Sequence, residues 1–371
     1  MDDPSCSVDI DPQLARHLFE TGSFLLFFDF PVGSEFGIDY SSWTTAEKFK
    51  GVKMIPPGIH FVYFSVVKLQ QQSPRIGFFH NFEEKGICVK KWDAKAEDLM
   101  DYTATLDEIE NFRRNLQELD QYLAPYPRQH YKTWYSLTNH ISPQIILKLN
   151  PEDRGRISSQ SELVSKEVQD LGESSQRIDR QHPVRQRFFD KQGLPIMYVK
   201  PGTEIRFTNL KLNDNILEPS AMNTYDHLLT KIFQSSENSA DFLGEMQFAF
   251  VCFLIGHLYD AFEQWKRIVR LLCSCESSIP RNRQFFSQFI NAIYFELKLT
   301  PKDFFVDIIS KNNFLTVTLS HFFTNIESNV DPNDDLYKKA TKFKNFLSNE
   351  YEWDFDDTTD DSKPVIVEED D

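Results

Sequence analysis

Apolar residues follow two different patterns along the chain. Up to about residue 100 they form short runs rich in Phe, Val and Ile, and each run is bounded by glycine, proline or a polar turn. Such runs are typical of β-strands, and the short turns between them favour an antiparallel sheet or sandwich. The four clearest runs are SFLLFFDF (23–30), GIHFVYFSVV (58–67), RIGFFHNF (75–82) and GICVKKWD (86–93).

Helical signals lie on both sides of these runs. Asp11, Pro12 and Gly22 stand where a short first helix needs a cap, a first residue and a terminator. The TLDE sequence at 105–108 has the form of a capping box, and apolar residues then recur at helical spacing as far as Leu123. Two more short helices are predicted before residue 150.

The pattern becomes polar after residue 150 and helical after residue 217. Residues 151–202 lack sustained periodicity and predict a linker. TEIRF, at 203–207, predicts one more strand that returns to the first sheet, with a connection up to residue 216. Between 217 and 350, six or seven amphipathic segments joined by short loops predict an all-helical bundle or superhelix.

These patterns together predict an α+β protein with two domains. The expected parts are a β-sandwich-like domain with flanking helices (1–150), a polar linker (151–202), a strand and connection (203–216), an all-helical domain (217–350) and an acidic extended tail (351–371).

Charge is concentrated at the carboxyl end. The formal net charge is -16, and the stretch from Glu350 to Asp371 holds eleven acids against one base, Lys363, so it carries -10 of that total. The rest of the chain is only mildly acidic, and binding to nucleic-acid phosphates needs a basic face, so we expect no direct sequence-specific nucleic-acid binding. A partner with a basic groove suits this charge better.

The compartment is suggested by cysteine usage and by the apolar runs. Five scattered cysteines form no disulfide framework, which indicates a reducing environment. The amino terminus is acidic and polar, unlike a secretory signal. The longest apolar run, 248–256, is about half the length of a membrane-spanning helix. We therefore expect an intracellular protein with no membrane partner.

Catalytic and metal-binding motifs are absent from the sequence. We find no GxxxxGK[ST], GxGxxG, GxSxG or HExxH pattern. Cys273 and Cys275 would point about 200° apart on a helix, so they do not share a metal, and we expect no metal or cofactor. One enzymatic alternative is a cysteine hydrolase in which Cys88 pairs with His60 or His80 across a sheet. Ordinary sheet histidines are the favoured interpretation.

Aromatic residues crowd the stretch from 33 to 64, together with several glycines and prolines. Phe36, Tyr40, Trp43 and Phe49 are candidate anchors of a rigid docking face. The favoured interpretation is that these rings pack inward in a tightly turned part of the sandwich.

Several long blocks resemble one known family, the AAR-two splicing factors. The resemblance runs in order from about Asp11 to Glu369, with only 151–200 poorly matched. The blocks are EFGIDYSSW, KFKGVKMIPPGIHF, NLQELDQYLAPYP, GTEIRF, GEMQFAFVCFLIGHLYDAFEQWKRIVRLLC, DFFVDIISKNNFLTVTL, and WDF followed by PVIVE.

That resemblance implies a non-enzymatic assembly factor of the U5 small nuclear ribonucleoprotein in pre-mRNA splicing. It implies binding to the RNase H-like and Jab/MPN domains of the scaffold protein Prp-eight, which blocks premature binding of the U5 helicase. It also implies a β-sandwich-like amino-terminal domain, a VHS-like helical domain, and an extended tail that joins a partner's sheet. We expect a monomer outside the complex, in nucleus and cytoplasm.

The tail sequence suggests how such a partner is held. Pro364, Val365, Ile366 and Val367 have strand propensity but no neighbouring strand in sequence, so they are predicted to join an exposed sheet edge of the partner. Trp353 and Phe355 are candidate partner-binding residues of the tail, and they are predicted to anchor its root. Deleting 351–371 is expected to weaken binding without changing the melting temperature.

Two other interpretations stay open. Phosphorylation of Ser158, Ser159, Ser174 or Ser175 in the linker would add negative charge and release the partner, whereas an unmodified polar linker is the simpler alternative. A VHS-like helical domain is also compatible with a membrane-traffic adaptor that binds sorting peptides.

Overall fold

The computed structural model describes residues 12–68, 71–159, 163–165, 197–199, 201–210, 219–235, 239–300 and 314–355. These residues form two compact units. The first takes its described residues from 1–135, 141–208 and 251–260, and the second from 136–140, 209–250 and 261–371. The sheets lie in the first unit and the long helices in the second, which confirms the predicted two-domain α+β class.

The strands are short, mostly two to eight residues. They are β1 Ser23–Phe28, β2 Glu35–Ile38, β3 Ser41–Thr44, β4 Gly51–Ile55, β5 Gly58–Ser65, β6 Val67–Lys68, β7 Gln71–Gln72, β8 Ile76–Phe82, β9 Ile87–Asp93, β10 Asp98–Leu99, β11 Leu123–Pro125, β12 Ile157–Ser158, β13 Leu163–Ser165 and β14 Met197–Val199.

The helices are short before residue 150 and long after residue 218. They are α1 Pro12–Thr21, α2 Leu106–Arg114, α3 Leu116–Leu119, α4 Tyr131–Thr138, α5 Pro143–Leu149, α6 Pro219–Ser235, α7 Ala240–Leu254, α8 Tyr259–Ser274, α9 Arg283–Leu299, α10 Phe314–Asn329 and α11 Asp335–Tyr351.

Two five-stranded sheets make up most of the first unit, in the orders β10-β9-β1-β4-β11 and β12-β8-β5-β2-β3. The second is antiparallel throughout, but the first is mixed, because β1 runs parallel to β9 and β11 parallel to β4. Phe27 on β1, Phe36 on β2 and Phe64 on β5 belong to one buried cluster. A core shared between two sheets is the predicted sandwich-like arrangement.

Besides β5, three strands lie in the aromatic stretch that was predicted to be tightly turned. β2, β3 and β4 are only four or five residues long, and two of them contain a glycine, so their sequence does not stand out. Gly51 shows why one of these glycines is needed: its φ is 134°, and an added Cβ would lie 1.8 Å from the Leu25 carbonyl oxygen. The close approach of β1 and β4 therefore excludes any side chain there.

The helix predicted after the capping box is shorter than expected. Thr105 accepts from the Glu108 amide, and the Glu108 carboxylate accepts from the Thr105 amide, so the capping box is confirmed. The helix ends at Arg114 rather than Leu123, however. Leu123–Pro125 instead pairs with β4, because sheet formation there outweighs the local helical spacing.

The TEIRF segment forms no strand among the described residues, which corrects that prediction. Arg206 instead caps α5. Its backbone amide donates to the Leu149 carbonyl at 2.9 Å, and its guanidinium donates to the carbonyls of Asn150 (2.9 Å) and Leu147 (2.6 Å). The linker is not entirely without structure either, since Ile157–Ser158 pairs with β8, and β13 with β14.

The second unit has six helices, α6 to α11, among its described residues. As its nearly continuous apolar sequence predicted, α7 is buried on several sides; Leu243, Met246, Phe248 and Val251 are fully inaccessible. No helix in the described ranges is both long enough and apolar enough to cross a bilayer.

Candidate partner interface at the carboxyl end

The last helix, α11, positions the root of the tail. The Asp334 carboxylate caps it by accepting from the Leu336 amide at 2.8 Å. Its inward face consists of Leu336, Ala340, Phe343 and Leu347, at helical spacing. The helix ends at Glu352, whose φ of 57° places it in the left-handed region. A residue in that conformation terminates the helix and turns the chain away from its axis.

Residues 351–355, here named the carboxyl strap, lie against the helices of the second unit. The Tyr351 hydroxyl donates to the Leu297 carbonyl of α9 at 2.8 Å. Trp353 stacks on Tyr351 with ring centroids 5.1 Å apart, and Phe355 meets Phe323 of α10 edge to face at 5.1 Å. Burial raises the pKa of Tyr351 to about 12. A tyrosine hydroxyl is protonated at neutral pH and is therefore available as the donor of this hydrogen bond.

Burial alternates along the strap. Trp353 and Phe355 are 6% and 7% exposed, whereas Glu352 and Asp354 are exposed. Alternation with a period of two places the aromatic rings on one side and the acids on the other. The strap therefore fixes the point from which the acidic tail continues.

The strap bears on two predictions about the tail. Trp353 and Phe355, which were predicted to bind a partner and to anchor the root of the tail, are buried against this chain's own helices. Because deleting 351–371 would remove these buried rings, we now expect that deletion to lower the melting temperature rather than leave it unchanged. Pro364, Val365, Ile366 and Val367 lie outside the described residues.

The four candidate aromatic anchors of the body are mostly covered. Phe36 is fully buried, and its ring lies 5.5 Å from Trp43 and 4.9 Å from Phe49. Those two rings are half-buried against the same core. Tyr40 is 36% exposed, with its pKa raised by burial. Three of the rings thus pack inward, and Tyr40 is the member of this set that a partner can reach.

Cys88, the nucleophile of the proposed cysteine–histidine pair, does not have the properties of a reactive thiol. Cys88 is buried, and burial raises the pKa of its thiol to about 11. Burial, with a contribution from Lys90, lowers the pKa of His80 to about 4. A thiol with a raised pKa carries little thiolate at neutral pH, and the thiolate is the nucleophile.

His60 is committed to a buried polar network that the sequence did not reveal. Its Nδ1 lies 2.6 Å from the Asp39 carboxylate, and its Nε2 donates to the Pro56 carbonyl at 2.8 Å. Asp39 also accepts from the Tyr126 hydroxyl at 2.7 Å and from the Phe61 amide at 3.0 Å. These side chains are distant in sequence, so no local pattern brings them together.

A second buried polar group lies in the helical unit. Glu296 of α9 is fully buried and accepts a hydrogen bond from the Trp265 indole of α8 at 2.8 Å. Its other carboxyl oxygen, Oε1, has no hydrogen-bond partner. Burial raises the pKa of Glu296 to about 8. With this pKa, the Glu296 carboxyl group is mostly neutral at pH 7. The sequence did not predict this buried acid, because a single Glu in an apolar helix forms no recognisable motif.

Two other predicted sites are only partly described. Ser158 is half-buried in β12 and Ser159 is exposed, whereas Ser174 and Ser175 lie outside the described residues. Within the described part of the chain, no three His, Cys, Asp or Glu side chains cluster where they would hold a metal ion. Cys273 and Cys275 are buried thiols whose pKa values burial raises well above the ordinary value.

Comparison with known proteins gives matches to both parts of the chain. Residues 21–151 match the family model described as the AAR2 N-terminal domain, and residues 221–356 match the AAR2 C-terminal repeat region. The first region contains most of the two sheets, and the second contains the long helices and the carboxyl strap.

Individual relatives match over nearly the whole length. A Caenorhabditis elegans protein named Protein AAR2 homolog is 43% identical over 355 residues, which cover 93% of this chain and 98% of the relative. A Homo sapiens protein of the same name is 40% identical over 380 residues, with 98% and 97% covered. A Saccharomyces cerevisiae protein named A1 cistron-splicing factor AAR2 is 24% identical over 292 residues, with 74% and 76% covered. With both family regions matched in order and this degree of identity, the chain belongs to the AAR2 splicing-factor family.

Proposed function

We propose that this protein is a non-enzymatic assembly factor of the U5 small nuclear ribonucleoprotein. It binds the RNase H-like and Jab/MPN domains of the scaffold Prp-eight and keeps the U5 helicase from binding early. Family membership and the name of the yeast relative, a splicing factor, support a role in splicing. In this proposal the protein acts in nucleus and cytoplasm, as a monomer outside the complex.

The observation that carries the binding mechanism is the carboxyl strap. The strap ties the root of an acidic, strand-prone tail to α9 and α10. An extended chain covers at most about 3.5 Å per residue, so Val365 lies no more than about 35 Å from Phe355. The sheet edge that receives the tail must therefore lie close to the helical unit.

Strand addition by the tail is weak by itself. Burying Val365 and Val367 contributes roughly 1.5–3 kcal/mol each, while ordering each backbone residue costs about 1–2 kcal/mol. The tail therefore binds well only when the body is already docked and raises its local concentration. This requirement gives a divided grip, in which the body holds one scaffold domain and the tail reaches a second.

Deletion of 356–371 tests this grip, because the cut leaves the strap intact. We expect at least tenfold weaker binding to a purified scaffold fragment carrying both domains, measured by calorimetry, and an unchanged melting temperature. The double variant Val365→Asp/Val367→Asp should weaken binding similarly, since it places two charges on the face predicted to be buried. Ile366→Asp is the matched control, because in an added strand its side chain would point to the face opposite that of Val365 and Val367. Equal affinity of the truncated and full-length proteins would rule out the tail's role.

The absence of enzymatic activity is part of the proposal. The buried Cys88 thiol has a pKa of about 11, which supports a structural role. The Cys88→Ala variant should bind the scaffold fragment as the unchanged protein does. A pull-down from nuclear extract separates the candidate functions: recovery of U5 proteins supports the assembly factor, whereas recovery of membrane-traffic proteins alone would favour the adaptor.

Release by phosphorylation is also proposed, at the linker serines. Ser159 is exposed, so a kinase can reach it, and a phosphate there adds about -1.5 to -2 charges. Ser159→Asp should raise the dissociation constant for the scaffold fragment, with Ser159→Ala as the control. Unchanged affinity in Ser159→Asp and in acid substitutions at Ser158, Ser174 and Ser175 would remove this mechanism.

A further inference from the structure

Arg75 occupies a junction at which three elements of the first unit meet. Its guanidinium binds the Glu35 carboxylate of β2 through two hydrogen bonds, Nη2 to Oε1 at 2.6 Å and Nε to Oε2 at 3.2 Å. The same guanidinium lies over the Tyr63 ring of β5, 4.7 Å from its centroid. A bidentate pair of this kind holds the planar group in one orientation.

The remaining guanidinium nitrogen, Nη1, reaches the turn after α7. It donates to the Ile255 carbonyl at 2.8 Å and lies 3.1 Å from the His257 Nε2. The Ile255 carbonyl is one of those left without a helical partner at the end of α7, so Arg75 caps this helix from the sheet. One side chain therefore connects the end of α7 to the second sheet.

The tautomer of His257 follows from its partner. Arginine has only hydrogen-bond donors, so Nε2 must accept, and the ring proton must be on Nδ1. His257 is therefore neutral in this arrangement. Burial and the Arg75 charge both lower the pKa of His257, whereas the Glu35 carboxylate acts in the opposite direction.

The backbone at this turn is held in an uncommon conformation. His257 has a φ of 58°, in the left-handed region that residues other than glycine seldom adopt. Its amide donates to the Phe253 carbonyl, and the next amide, of Leu258, donates to the Cys252 carbonyl. Such a conformation persists when several contacts fix it, and the hydrogen bond from Arg75 is one of them.

We propose that Glu35, Arg75 and His257 form a protonation-sensitive latch, which holds the turn between α7 and α8 on the second sheet while His257 is neutral and loosens when it is protonated. Protonation places a hydrogen on Nε2, so two donors and two positive charges face each other across the same gap. Among the described residues, the Tyr63 ring and the Gln72 amide also lie at the latch, and the Gln72 amide donates to Glu35 at 2.9 Å.

The direction of the pH effect follows from the lowered pKa of His257. The ordinary value is 6.5 and the folded value lies below it. Above pH 6.5 the ring is neutral with the latch open or closed, so the latch has its full strength. Below pH 6.5 opening is favoured, because the open ring takes up a proton more readily, and the closed state is lost as the pH falls through the folded value.

Hydrogen exchange on the full-length protein tests the latch. After correction for the intrinsic rate, the amides of His257 and Leu258 should exchange several-fold faster at pH 5 than at pH 7.5, because protonation of His257 favours opening. In His257→Gln, the side-chain oxygen still accepts from Arg75 but cannot take up a proton there, so the pH dependence should disappear. His321→Gln in α10 is the matched control and should behave as the unchanged protein does.

A second measurement does not depend on any variant. The ¹⁵N shift of His257 Nε2 should be that of an unprotonated ring nitrogen at pH 7.5 and should change together with the exchange rates. A protonated Nε2 at pH 7.5 would overturn the latch. So would equal corrected exchange at the two pH values, or the same acid-induced loosening in His257→Gln.

Discussion

Glu296 shows at the scale of one residue how burial makes stability depend on pH. Its pKa in the folded protein is about 8, above the ordinary 4.5, so the folded state keeps a proton that the unfolded state releases. Stability attributable to this group is therefore complete below pH 4.5 and falls as the pH rises towards 8, by at most about 1.4 kcal/mol per pH unit. The loss is greatest at and above pH 8, where both states are ionised.

Glu296→Gln removes this titration while keeping a side chain of similar shape. We expect the variant to have a higher free energy of unfolding than the unchanged protein. This difference should be several times larger at pH 8 than at pH 5. Urea unfolding at the two pH values measures this. Glu352→Gln changes an exposed acid of the same unit and serves as the control. A variant advantage that does not grow between pH 5 and pH 8 would show that Glu296 is ionised in the folded state.

The carboxyl strap makes a prediction at the scale of an element. Deletion of 351–371 removes the Tyr351 bond to Leu297 and the buried rings of Trp353 and Phe355. Loss of buried aromatic rings costs about 3–5 kcal/mol each when a cavity remains. Thermal unfolding should therefore show a melting temperature several degrees lower for this truncation, whereas deletion of 356–371 should leave it unchanged. Equal melting temperatures for the two truncations would mean that the strap does not contribute to the fold.

Elements differ in how far local sequence determines them. The capping box before α2 was predictable because both of its side chains lie within four residues and satisfy the first free amides of the helix. The conformation of Leu123–Pro125 and the capping role of Arg206 were not predictable, because each depends on a partner distant in sequence. The partner is β4 for Leu123–Pro125 and the end of α5 for Arg206. The strap was foreseen as an anchor, but its attachment to α9 and α10 depends on long-range packing.

At the scale of the whole molecule, the compact units do not coincide with the two halves of the sequence. Residues 136–140 belong to the helical unit, where the buried Gln247 side chain accepts from the His140 amide at 2.8 Å and donates to Asn139 at 2.9 Å. Residues 251–260 belong to the unit that contains the sheets. Each unit thus includes a short segment from the half of the sequence that mainly forms the other unit, which we call the exchange. The periodicity of a segment predicts a helix or a strand but does not predict which unit the segment joins.

This exchange predicts how the chain behaves when it is divided after Leu210. The fragment 1–210 lacks Ile255, whose carbonyl Arg75 caps, and the fragment 211–371 lacks the loop that Gln247 binds. Each fragment alone leaves buried polar groups unpaired, at about 1–3 kcal/mol for each group. We expect each to be markedly less stable than the whole chain, and the two to copurify as a one-to-one complex when expressed together.

Full-length protein cleaved after residue 210, once folded, is the control and should stay associated. Two fragments that fold separately with the stability of the whole chain, and do not associate, would contradict the exchange, because each unit would then be complete within its own half.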